Sequence, residues 1–106
     1  MAKYMLKANY TVEGTKGLMK EGGSSRRAAV QKTIEGLGGR MECFYYTMGE
    51  ADAIVILDVP DVATVAALSL AVNATGGAHV STTVLLTPEQ IDEAAKKSVS
   101  YRAPGA

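Results

Sequence analysis

The stretch RMECFYYTMGEADAIVILDV, Arg40 to Val59, decides the fold. Two runs rich in aromatic and β-branched residues flank a short Gly49-containing segment, which is the composition of a β-hairpin. In the first run, Arg40 to Met48, simple alternation sets Met41, Cys43, Tyr45 and Thr47 against Glu42, Phe44, Tyr46 and Met48. Both sets are partly apolar, so each needs cover. The second run, AIVILDV from Ala53 to Val59, is apolar on both faces, as expected of a central strand covered on two sides.

On either side of this hairpin the same signals recur. Lys3 to Thr11 alternates, with Tyr4, Leu6, Ala8 and Tyr10 opposite Lys3, Lys7 and Asn9, and predicts a half-buried strand. Ser24 or Ser25 is placed to cap a helix in which Val30, Thr33, Ile34 and Leu37 fall at helical spacing. Gly36, Gly38 and Gly39 end it. Beyond the hairpin, Asp61 caps a helix over Val62 to Ala74 made almost wholly of Ala, Val and Leu, so burial over most of its surface is expected. Gly76-Gly77 ends that helix, Ala78 to Leu86 forms the last strand, and Thr87-Pro88-Glu89-Gln90 opens a third helix.

Strand, helix, Gly-Gly, strand therefore occurs twice, joined through the hairpin. This is βαββαβ, an α+β, ferredoxin-like arrangement in which right-handed crossovers put both helices on one face of a four-stranded antiparallel sheet. One domain, residues 1–97, is expected, followed by a tail, 98–106, without periodicity. The uncovered sheet face, carrying Lys7, Asn9, His79, Ser81 and Thr83 among apolar side chains, reads as a homodimer surface.

Composition narrows the function. Lys plus Arg and Asp plus Glu number 11 each, so the formal net charge is zero and no basic excess points to nucleic acid or an anionic membrane. Cys43 is the only cysteine, which rules out an internal disulfide and fits a reducing compartment. No run approaches the roughly 18 apolar residues of a membrane span, and a cytoplasmic location is expected.

Several residues carry candidate chemistry. Val12 to Gly23 holds Gly14, Gly17, Gly22 and Gly23 and reads as a long loop with at most one helical turn, either a surface connector or the rim of a pocket. Tyr10 and Tyr45 are candidate ligand-binding phenols, because a phenol offers an apolar body and one polar tip. Tyr46 and His79, the only histidine, are the catalytic candidates; the alternative for His79 is a hydrogen-bonded residue of a strand edge or interface. Arg26 and Arg27 stand beside glycines and serines at a helix start, where an anion can bind, although the spacing is not that of a phosphate loop. Asp52 is expected to fix the hairpin turn by accepting backbone amides. Cys43 has an apolar neighbourhood and reads as an inert core thiol. No metal-ligand spacing links His79 to Glu42, Cys43, Asp52 or Asp58, and no cofactor is expected.

The opening strand, Gly38-Gly39-Arg40 leading into Phe44-Tyr45-Tyr46-Thr47-Met48-Gly49, then Asp52, Ala53 to Leu57 and Leu85-Leu86-Thr87-Pro88-Glu89, resemble the GYD domain family. These are small bacterial proteins of the dimeric α/β barrel type, and the resemblance covers residues 3–94. The family's Gly-x-Tyr-Asp motif falls on Gly49-Glu50-Ala51-Asp52, with Ala51 where the tyrosine should be. The resemblance implies the ferredoxin-like fold and a dimeric α/β barrel. By fold, relatives include cofactor-independent monooxygenases, isomerases and small-ligand binders, among which fold does not choose. Two function classes follow: a small-molecule binder or cofactor-independent enzyme with its pocket between helices and sheet, or a homo-oligomeric assembly module.

Overall fold

The computed structural model describes residues 1–106. Its strands are β1 (Ala2–Tyr10), β2 (Arg40–Tyr46), β3 (Ala53–Val59) and β4 (Ala78–Leu85), and its helices are α1 (Val12–Glu21), α2 (Gly23–Gly36), α3 (Val62–Ala74) and α4 (Pro88–Ala95). One antiparallel sheet has the order β2-β3-β1-β4, so the expected α+β, ferredoxin-like βαββαβ topology is present. No helix is long and apolar enough to cross a membrane.

The core lies on one face. Tyr4 and Leu6 of β1 and Val55, Leu57 and Val59 of β3 meet Ile34 of α2 and Val65 and Leu68 of α3. Ile34, Leu57 and Val59 have no exposed surface, and each such burial stabilises the fold by roughly 1.5–3 kcal/mol. Both connecting helices end the same way, on a glycine with positive φ: Gly38 at 79° and Gly76 at 77°.

Four local expectations are corrected. Val12 to Gly23 is not a loop but mostly helix: Thr11 caps α1 by accepting from the Gly14 amide at 3.1 Å, Glu13 lies in the first turn, and Gly22 closes the end by donating to the Leu18 carbonyl. Each helical glycine costs about 1 kcal/mol of propensity, so the caps and the docking described below must outweigh Gly14 and Gly17. The cap of α2 is Gly22, with φ 92° and no side-chain hydrogen bond, rather than Ser24 or Ser25. One residue thus links α1 to α2, because a glycine accepts that backbone conformation.

The helix α3 is less buried than its composition suggests. Only Val65 and Leu68 are buried, while Val62 and Leu70 are exposed, since a single sheet face covers one side of the helix and nothing covers the other. Finally, β2 ends at Tyr46, and a bulge between Met41 and Cys43 leaves Glu42 unpaired. The bulge breaks the simple alternation. Met41, Phe44 and Tyr46 pair with the buried Leu57, Val55 and Ala53 and take the helix side, leaving Cys43 and Tyr45 on the open side.

That open side carries a band of partly buried apolar residues, Met5, Ile54, Ile56 and Cys43. At one end of it Asp58 is buried between Lys3 Nζ at 3.2 Å and Arg40 Nη2 at 3.1 Å, and Lys3 also contacts Glu42. The paired cations compensate the charge that burial would otherwise penalise.

The tightest approach in the fold joins α1 to the α3–β4 turn. Thr11 donates its amide to the Gly77 carbonyl at 3.1 Å and its hydroxyl to the Gly76 carbonyl at 2.8 Å. A Cβ on Gly14 would lie 1.7 Å from the Gly77 oxygen, whereas a Cβ on Gly17 would meet nothing within 4 Å. Gly14→Ala should therefore lower stability by about 1–3 kcal/mol despite its better helix propensity, and Gly17→Ala should raise it by up to about 1 kcal/mol. Thermal or urea unfolding of the pair checks this; equal effects would mean that α1 is not docked as described.

Candidate functional site

The region between helices and sheet encloses a cavity of about 300 Å³. Its floor is Leu6 and Ala8 of β1, Ala53 and Val55 of β3, Phe44 and Val80; its roof is Leu18 of α1, Val30 of α2, and Leu68 and Val72 of α3. The space has a sequence cause. At the filled end of the core the sheet presents Tyr4, Leu57 and Val59, but at the other end it presents Ala8, Ala53 and Ala78, beneath Gly14 and Gly17 of α1. Small side chains on both layers leave a volume at the lower end of the range, roughly 300–1,000 Å³, in which small ligands bind.

Most polar side chains around this cavity are already satisfied. Thr33 donates to the Ala29 carbonyl at 3.0 Å, and Thr75 donates to the Val72 carbonyl at 2.7 Å while accepting from the Gly77 amide at 3.3 Å. Three polar residues remain: Tyr10, Glu21 and Arg26. Arg26 places Nη1 3.9 Å from Glu21 Oε2, the outer limit of an ion pair, and its Nε is buried without a hydrogen-bond partner. Tyr10 is held by its own backbone, whose amide donates to Asp52 Oδ2 at 2.8 Å. Asp52 also donates its amide to the Ala8 carbonyl and accepts the Thr47 amide, both at 2.8 Å, so this acid ties the hairpin turn to the end of β1.

Tyr46 stands beside Tyr10. Its hydroxyl donates to the Gly23 carbonyl at 3.0 Å, and its ring meets Phe44 edge-on with centroids 5.0 Å apart. Burial raises the Tyr10 phenol above its ordinary value, the neighbouring Tyr46 adds to this, and the Arg26 guanidinium pulls the other way. Burial likewise raises Tyr46, with Tyr10 and Arg26 opposing. Both phenols are neutral near pH 7 and serve as hydrogen-bond donors rather than bases.

The residues singled out from sequence are divided by this geometry. Tyr10 and Arg26 line the cavity, with Tyr46 adjacent. Tyr45 and Arg27 lie outside it, in a shallow depression with Gly23, Ser24 and Tyr46. His79 pairs with Asn9 between Ala78 and Val80; those two neighbours line the cavity, so strand alternation sends His79 to the opposite, open face. It is not brought together with Tyr10 or Tyr46. Glu21, Gly14 and Leu18 escaped sequence reasoning because α1 was read as a loop; Thr11 as cap, Glu13 in the first turn and Gly22 at the end were the available signals. No group of three or more His, Cys, Asp or Glu side chains is placed to hold a metal ion.

A ferredoxin-like sheet with its helices on one face and an apolar cavity at the alanine-rich end of its central strands defines the class of protein. Within that class the chain belongs to the GYD domain family, whose family model matches residues 4–95. No curated protein and no solved structure matches the chain.

Alkaline titration followed by tyrosinate absorbance should resolve Tyr10 and Tyr46 above the ordinary 10.0. Because the folded state holds these protons more tightly, their contribution to stability is intact below the unfolded value and is lost as pH rises past it. Tyr10→Phe should remove a late-titrating component; a late component unchanged in that variant would show that Tyr10 is not shielded.

Proposed function

We propose that this protein binds a small organic molecule in the cavity between its helices and sheet. The observation that carries the reading is the enclosed volume itself: a chain of 106 residues keeps about 300 Å³ open beside its core, walled mainly by apolar side chains. Close packing is the rule in protein interiors, so a space of this size calls for an occupant. The cavity holds no histidine and its phenol stays protonated, which favours binding over acid–base catalysis, with a cofactor-independent enzyme as the further possibility within the same reading. A cytoplasmic setting, in which Cys43 remains a free thiol, belongs to the same proposal.

Ala8→Phe places a ring on the cavity floor at a strand position that favours aromatics. In a filled core such a change costs about 1–3 kcal/mol; here the melting temperature should hold or rise. Chemical-shift titration with phenylpropanol should perturb Leu18, Val30 and Val72 in the wild type and not in the variant. A destabilised variant with unaltered binding would sink the proposal.

The open sheet face favours a second element, a homodimer closing into an α/β barrel. Met5, Ile54, Ile56 and Cys43 form an apolar band that no element of the chain covers, and Tyr45 beside it is 68% exposed. Pairing two such faces would bury the band without involving nucleic acid or membrane. Light scattering should report a dimer for the wild type and a shift toward monomer for Ile56→Glu; a wild type that stays monomeric at high concentration would refute it.

A further inference from the structure

Resting on the cavity as a ligand site, we infer that the ligand is a small apolar carboxylate whose anionic end sits on Arg26 and Tyr10. The polar inventory carries the argument. With both threonine hydroxyls committed to carbonyls, the groups with spare capacity are the Arg26 guanidinium, the Tyr10 phenol and the Glu21 carboxylate. Arg26 Nε is the one buried side-chain polar atom in the protein without a hydrogen-bond partner. A buried N–H left unpaired is costly, and a ligand acceptor is the group that relieves it.

Glu21 does not fill that role. Its carboxylate reaches only Nη1, at 3.9 Å, and both side chains keep about a third of their surface in solvent (38% for Arg26 and 34% for Glu21). The guanidinium therefore presents its Nε side to the cavity while its far end meets Glu21 at the rim. A carboxylate can take Nε–H and a terminal N–H as a parallel pair, the geometry that arginine is shaped to offer. Tyr10 supplies a neutral donor from the floor of the same end, held there by Asp52. Beyond these groups the walls are Leu18, Val30, Leu68 and Val72, which demand an apolar body such as an aromatic ring or a short chain and leave nothing for a second charge or a sugar.

The test compares three probes of one shape, phenylpropanoate, phenylpropanol and phenylpropylamine, by calorimetry or chemical-shift titration. The wild type should bind the carboxylate at least about tenfold more tightly than the alcohol, the range expected of a charge-assisted pair. Arg26→Gln should abolish that preference while leaving the alcohol unchanged, and Arg26→Lys, which keeps the charge without the fork, should retain part of it. Equal binding of carboxylate and alcohol by the wild type would overturn the anionic assignment and leave the cavity reading standing. Tightest binding of the amine would overturn it in favour of Glu21, and binding of none of the three would overturn both. The wild-type comparison and the lysine variant decide the matter even if Arg26→Gln fails to fold.

Discussion

The end of β1 is clamped from two sides, and the rest of the architecture is arranged around that clamp. Asp52, from the β2–β3 turn, accepts the Tyr10 amide. Thr11, the next residue, donates amide and hydroxyl to the Gly77 and Gly76 carbonyls of the α3–β4 turn. These contacts bring the two halves of the pseudo-repeat together at one point. They also set where α1 begins, since Thr11 is its cap, and they fix the backbone that presents Tyr10 to the cavity. The cavity has a roof because α1 starts there, with Gly14 pressed against the Gly77 carbonyl at a separation no larger residue permits.

A single covered sheet face accounts for most of what remains. Because the helices occupy one side, the core is one layer deep, and α3 buries Val65 and Leu68 while leaving Val62 and Leu70 in solvent. The same asymmetry leaves Met5, Ile54 and Ile56 without cover on the other side, where charge pairing around Asp58 anchors one end of the face. The bulge at Glu42 decides which β2 side chains belong to which side. It turns Phe44 and Tyr46 toward the helices and sends Tyr45 outward, so neighbouring tyrosines face different environments.

Much of this was legible in the chain. Alternation in β1, the apolar run of β3, the helical spacing before Gly38-Gly39 and after Asp61, and the doubled Gly-Gly signal are local properties of residues close in sequence, and they suffice for the element order and the sheet topology. Tyr10 and Arg26 were also recognisable as candidates, from chemistry alone. Not legible were the helical state of Val12–Glu21, the face adopted by Tyr45, the separation of His79 from the tyrosines and the existence of the cavity.

The division has a physical reason. Secondary structure and its order follow from periodicity and capping, whose interactions span a few residues, so sequence by itself determined the βαββαβ plan and membership of the ferredoxin-like class. The cavity depends on small residues from β1, β3, β4 and α1 meeting at one end of the sheet, and α1 depends on a turn more than 60 residues away. Those are packing relations between distant segments: only the tertiary structure decided that Gly14 could sit in a helix, that Arg26 would keep a buried N–H unpaired, and that Tyr10 would stand beside it.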